Sequence, residues 1–308
     1  MPAHTSSGDI TASIRCDLAS SAQTGAPPLG HLAGLHRKPT DVGGYTLTLD
    51  PGRPLMAGGA GILEFAMLAD LALGGAIRNR VGLALPMPTI SMTLQLAPGR
   101  IREVEWADAE RAVQLERTAT ARTRLHTADG EVIGDAVGVF ALPRLPYDGP
   151  GRAMPWDIPL VEDANAPLRA VDDVDAASAL GDESLVACIA SHAAGTPDCA
   201  WGTRHVAEQL TAVTELALTP TPLMANRLGH IQGGALFTTA VLAAGQAGAF
   251  PVDALVTGTI EFIDGADLDD LLVPEVTILR AGGRSLIASV VLVQDGRVRC
   301  HVTTIFRR

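Results

Sequence analysis

The sequence predicts an α+β protein of two tandem domains, each a long central helix wrapped by an antiparallel β-sheet. Three observations lead there. The two halves of the chain repeat one another, each half carries one long apolar stretch of helical length, and each closes on an Asp-Gly pair between two strand-like runs.

In chain order, residues 1–40 read as a flexible segment and 41–145 as the first domain. That domain opens with a short alternating strand at 45–50 and a Gly-rich turn. A helix follows over about 61–78, then strands near 89–97, 111–127 and 131–142. Residues 146–175, rich in Pro and Asp, read as a linker. The second domain, 176–308, carries a lead-in helix around 175–194, a strand at 212–219 and an apolar helix over 233–249. Its strands lie near 255–263, 273–281, 285–294 and 297–307.

The repeat is collinear. Asp129-Gly130 matches Asp295-Gly296, Phe140 matches Phe306, and Thr93-Leu94-Gln95-Leu96 matches Thr259-Ile260-Glu261-Phe262, all at an offset of 166. Pro54-Leu55-Met56-Ala57 recurs as Pro222-Leu223-Met224-Ala225 at an offset of 168. Each domain therefore ends in a β-hairpin, and each helix is apolar enough to be covered on more than one side.

Hydrophobic residues form 47% of the chain and charged residues 19%, a globular composition. A net charge of -11 argues against a nucleic-acid binder, whose affinity rests on clustered Lys and Arg. Cys16, Cys188, Cys199 and Cys300 form no CxxC pair and read as reduced thiols. The N-terminus lacks the apolar core of a secretory signal, which leaves the cytoplasm as the expected compartment. Neither apolar stretch suits a bilayer. Glu64 and Asp70 interrupt the first, and the second is short and carries Thr238, Thr239 and Gln246.

The most specific segment is Asn226-Arg227-Leu228-Gly229-His230-Ile231-Gln232-Gly233-Gly234, directly before the second helix. It resembles the signature of hotdog-fold thioesterases of the phenylacetate-pathway type: Asn, two residues, Gly, two residues, then His-Gly-Gly at the start of the central helix. Gln232 stands where that family has His. With the repeat, residues 40–308 are similar to a tandem, double-hotdog version of the family. The resemblance implies hydrolysis of an acyl-CoA thioester, with CoA as part of the substrate and no separate cofactor.

The family carries a carboxylate nine residues past its His. In the second half that position is Val241. Matching Gly58 to Gly229, an offset of 171, places Asp70 at the acid position of the first half, which itself lacks the Asn and has Gly61-Ile62-Leu63 for His-Gly-Gly. One composite site is therefore expected, made of Asp70 as base or nucleophile, the Gly233 N–H as oxyanion donor, and Gln232 and Asn226 beside it. Gly234 lets the acyl group approach closely. Glu64 is the competing acid and a candidate substrate contact. The resemblance also points to Arg280 and Arg284, flanking Gly282-Gly283, as contacts for CoA phosphates. His230 comes two residues too early for the family His and reads as a surface turn residue.

Other chemistries find little support. Gly59-Ala60-Gly61-Ile62-Leu63-Glu64 misses the third glycine of a dinucleotide loop, no GxSxG occurs, and the eight histidines show no metal-ligand spacing, so no catalytic metal is expected. A hotdog hydratase would pair its Asp with a His five residues on, where this chain has Gly75. A non-catalytic acyl or aromatic ligand binder on the same fold is the rival from another class. Further association of double-hotdog chains into a homo-oligomer is expected, because open sheet edges remain.

Overall fold

The computed structural model describes residues 35–38, 45–49, 61–81, 87–143, 217–220, 224, 226 and 228–308. The linker at 146–175, the helix at 175–194, residues 212–216 of the early strand and the Gly-rich turn before the first helix lie outside them, as do Cys16, Cys188 and Cys199.

Eleven strands form one antiparallel sheet. They are β1 (Leu35–Lys38), β2 (Tyr45–Leu49), β3 (Thr89–Leu96), β4 (Trp106–Ala109), β5 (Val113–Gln114), β6 (Thr118–His126), β7 (Val132–Ala141), β8 (Leu255–Phe262), β9 (Val273–Gly282), β10 (Ser285–Gln294) and β11 (Arg297–Arg307). Their order across the sheet is β1-β2-β4-β6-β7-β3-β8-β11-β10-β9, with β5 paired to β6. Two helices, α1 (Ile62–Val81) and α2 (Gly233–Gly248), lie on its concave side and touch each other. This is the expected tandem double hotdog.

The alternation of the strands dictates the layering. Along β10, Leu286, Ala288, Val290 and Leu292 are buried while the residues between them are half-exposed, and β11 does the same with Cys300, Val302, Thr304 and Phe306. Those faces close over α2. In α1 every residue from Ile62 to Asp70 is buried, as an all-round apolar helix requires. Phe65, Phe237 and Phe306 are the largest side chains of the common core. Among the described residues no helix is long and apolar enough to cross a membrane.

The halves meet where β3 pairs with β8, with Ser91 opposite Glu261, Thr93 opposite Thr259 and Gln95 opposite Thr257. This register is symmetric about Thr93 and Thr259, whose hydroxyls are 3.1 Å apart. A residue on a two-fold axis must face its own repeat. Thr93 and Thr259 are separated by 166 residues, the offset of the sequence repeat, so the repeat is a pseudo-two-fold relation and the chain is a hotdog dimer in one polypeptide.

Both Asp-Gly hairpins form, in different ways. Asp295 (φ 49°) and Gly296 (φ 66°) make a two-residue turn with both central residues left-handed. At the other hairpin Gly130 alone is left-handed (φ 90°), and the loop runs from Thr127 to Glu131. Three elements depart from the expectation. The strand foreseen at 111–127 is broken: β5 turns back onto β6 through a bond from Leu115 N–H to the Thr118 carbonyl. No Gly, Pro or Asn marks that turn. β4, four residues long, is too short for its alternation to register. Leu35–Lys38, within the segment read as flexible, form β1 and pair with β2.

Candidate active site

The turn before α2 is wired by Asn226. Its side-chain oxygen accepts from the N–H groups of Leu228 (2.8 Å) and His230 (3.2 Å), and its amide donates to the Ile231 carbonyl (3.4 Å). Gly229 takes a left-handed conformation (φ 78°) that closes the loop. Both ends of the Asn226 side chain are thus engaged within the turn, which they hold in shape. A second brace comes from β11. Arg299 bonds Asp264 (3.1 Å), the Gly265 carbonyl (2.6 Å) and Asp267 (3.1 Å). The loop so fixed accepts the Ile231 N–H at the Ala266 carbonyl (2.8 Å) and holds half-exposed His230 against Asp267 (3.3 Å).

This scaffold delivers Gln232 to the N-cap of α2, where its carbonyl receives the N–H of Ala235 (3.0 Å) and Leu236 (3.1 Å). Its side chain turns across to the other half of the molecule and donates to Asp70 Oδ2 at 2.6 Å. Asp70, on α1 and 5% exposed, also lies close enough to the Gly234 N–H to feel its dipole. A carboxylate from one half therefore lies at the N-terminus of the other half's helix, where unpaired N–H groups and the helix dipole favour an anion.

The approach is close because glycines line it. A Cβ on Gly234 would stand 3.0 Å from the Met67 backbone, and one on Gly233 would stand 3.0 Å from both Asp70 Oδ2 and Phe262. The Gly233 nitrogen, about 2.5 Å from that Cβ position, thus lies within about 5.5 Å of the carboxylate. Among the described residues its N–H has no acceptor. Burial pushes the Asp70 carboxyl above its ordinary range. The Gln232 amide, the Arg78 charge and the Gly234 N–H pull it down without cancelling the rise.

Asp70, Gln232, Gly233 and Gly234 are therefore brought together across the two halves, with the Asn226 turn behind them. Other candidates are not. Glu64 is buried in the first turn of α1, six residues from Asp70 and on a different face. Arg280 and Arg284 are exposed at the β9–β10 hairpin. That hairpin runs into Leu286, which packs at Gly248 in the last turn of α2. A helix of 16 residues spans about 24 Å. Both arginines consequently sit near the C-terminal end of α2, whereas Asp70 lies at its N-terminus. Gly75 has the Tyr45 ring against it, within 2.5 Å of where a Cβ would stand, so the second hydratase residue has no room there.

At the pseudo-symmetric position stand Ile62, Leu63 and Val241, all fully buried hydrocarbon. A second polar chain lies elsewhere, on the outer face of the sheet: Ser289 Oγ is 2.7 Å from His301 Nε2, and His301 Nδ1 is 3.5 Å from Glu261. Ser289 lies within ladders to both β9 and β11, which leaves no oriented backbone donors for an oxyanion beside it. Its symmetry counterpart is the Arg122–Asp135 ion pair, so it is a cross-strand contact rather than a serine hydrolase centre. The residue that sequence reading missed is Arg78, whose only signal was its spacing from Asp70 through Gly74, two steps of four along one helix.

No family model matches the chain, and no curated protein matches it by sequence. Its structure is similar to several solved ones. With an acyl-CoA thioesterase II from Mycobacterium marinum it shares 14% identity and a TM-score of 0.44, covering 91% of this chain and 96% of that one. An acyl-ACP thioesterase from Bacteroides thetaiotaomicron gives 12% identity and a TM-score of 0.43, over 86% of this chain and 97% of that one. A hot dog fold protein of unknown function from Alicyclobacillus acidocaldarius gives 14% and 0.45, over 91% and 97%. Likenesses at this level transfer no residue role, and the sheet order, the two helices and the β3–β8 seam establish the fold: a tandem double hotdog.

Proposed function

We propose that this chain hydrolyses an acyl-CoA thioester to free acid and CoA at one composite site between its halves. The observation that carries the reading is the buried Asp70 carboxylate of α1, 2.6 Å from the Gln232 amide at the N-terminus of α2 and beside the Gly233 N–H. A base, a polar orienting group and a helix N-terminus converge there, as attack by water on a thioester requires.

The general-base route suits the donors and acceptors better than direct attack by the carboxylate. Gln232 Oε1 is buried and has no hydrogen-bond partner among the described residues. A water between it and Asp70 would give one O–H to each and turn a lone pair toward the carbonyl carbon. Asp70 takes the proton as the C–O bond forms, the Gly233 N–H meets the oxyanion, and the C–S bond breaks. The thiolate leaves with the proton that Asp70 returns.

A panel of acyl-CoA thioesters, read as free thiol, tests this. Turnover by the wild type, lost on Asp70→Asn, is the expected result. If CoA thioesters bind but release no thiol, Asp70 is a helix cap and the protein is a ligand binder. We also read the chain as a cytoplasmic protein that associates further through the strands that end the sheet among the described residues, β1 and β9. Light scattering that gives a single-chain mass of 31.9 kDa at all concentrations would exclude the association.

A further inference from the structure

Asp70 raises a question of charge balance. A buried carboxylate is seldom left with neutral partners alone, because hydrogen bonds do not offset the full cost of removing its charge from water. Yet α2, from Gly233 to Gly248, contains no charged residue. The turn before it offers Asn226, bonded within the turn, and His230, held by Asp267. From the sheet, Phe262 reaches the site, while its neighbour Glu261 points to the outer face and His301. On α1, Glu64 lies on another face. Among the described residues, the cation that acts on Asp70 is Arg78.

The helix brings it there. Asp70, Gly74 and Arg78 follow one another at intervals of four, along one ridge of α1. Long side chains on a helix lean toward its N-terminus. Arg78 does so, and its Nη1 lies 3.8 Å from the position a Cβ of Gly74 would take. The guanidinium is therefore carried back one full turn, over a residue with no side chain, toward the carboxylate.

We propose that Arg78 is the counter-charge of the composite site, a positioning residue that acts through space on Asp70 and keeps it in the form that accepts a proton from water. This rests on the hydrolytic reading for its function, and on the Asp70-Gly74-Arg78 ridge for its physics. The small residue at position 74 leaves the gap: an alanine Cβ there would meet the guanidinium at an ordinary 3.8 Å, whereas a long side chain would take its place. Replacing the charge, or blocking the gap, gives the same electrostatic result by two routes.

The test uses the full-length protein. Asp70 is titrated by the carboxyl carbon-13 signal that disappears on Asp70→Asn, in wild type, Arg78→Met, Arg78→Lys and Gly74→Met, and the pH profile of kcat/KM is taken for each. In Arg78→Met, the Asp70 titration and the acid limb of the profile should both move to higher pH, by about half a unit or more. Arg78→Lys, which keeps the charge, should restore most of the shift. Gly74→Met should displace the guanidinium and move both in the Arg78→Met direction, so the test survives a failure of Arg78→Met to fold. An unmoved titration in Arg78→Met or Gly74→Met overturns the proposal, as does a loss of activity that Arg78→Lys fails to rescue. If the titration moves but the wild type cleaves no thioester, the charge coupling stands and the hydrolytic reading fails.

Discussion

Gly234→Ala is the sharpest test of how the two halves are joined at the site. The added Cβ would stand 2.7 Å from Met67 Sδ and 3.0 Å from both Met67 Cα and N. The sulfur can swing away, but the α1 backbone cannot. Comfortable carbon contacts lie at about 3.5 to 4.0 Å, so the helices must part by roughly 0.5 to 1 Å at the crossing. Overpacking of this kind costs about 1 to 3 kcal/mol, against a helix-propensity gain of at most about 1 kcal/mol. Gly74→Ala is the matched control. It makes the same replacement in a helix, and its Cβ would meet Arg78 and Phe140 at an ordinary 3.8 Å. That variant should gain about 0.5 to 1 kcal/mol.

The two substitutions therefore carry opposite signs. At about 2 to 4 °C per kcal/mol for a protein of this order of size, thermal melts should separate the two by several degrees. Turnover should diverge more sharply. Parting the helices draws Asp70 away from Gln232 and the α2 N-terminus, and a misplacement approaching 1 Å can cost about 100-fold, while Gly74→Ala should keep wild-type turnover. Equal melting temperatures and equal turnover for both variants would refute the reasoning.

Other expectations follow from the same geometry. Asp70→Asn should lower turnover by about 100-fold or more, the scale of a lost general base. It should also melt above the wild type at pH 7. The folded pKa of Asp70 is raised above its unfolded value near 3.9, so stability falls as pH rises from there through the folded pKa. The advantage of Asn should shrink toward zero below about pH 3.9, and a pH-independent difference would contradict the sign. Gln232→Ala should cost less turnover than Asp70→Asn, because the Gly233 N–H is backbone and survives; a larger loss would make Gln232 the principal group. A chain cut within 146–175, the segment read as a linker, should leave two fragments that elute together in gel filtration. The β3–β8 pairing and the α1–α2 contact should hold the halves after the cut.

Much of this arrangement was legible in the chain. The repeat offset of 166 proved to be the separation of the residues that face each other on the axis. Asp70 emerged from aligning one turn with the other, which works because duplicated helices keep their register even where their side chains diverge. What escaped was whatever depends on the direction a side chain takes. Asn226 came from the resemblance to the family signature, which does not show that its hydrogen bonds close on its own loop. Arg280 and Arg284 fit phosphates in kind, and only the three-dimensional path of β9 and β10 puts them at the far end of α2. Arg78 lay eight residues from Asp70 in plain view, but a residue in the last turn of a helix reads as a solvated end until its stem is seen lying back over Gly74.

The facing threonines of the seam carry one more implication. In a dimer of separate identical chains, any change to one subunit is made to both, so a carboxylate placed in one helix is placed in its mate, and two costly buried charges come as a set. Joining the halves in one polypeptide removes that obligation. Only groups on the axis still meet their own counterparts, and there Thr93 and Thr259 remain alike. Away from it the two halves differ, with Asp70 on one helix and Val241 at the matching position of the other, so that this pair of positions bears one buried carboxylate where a symmetric dimer would bear two.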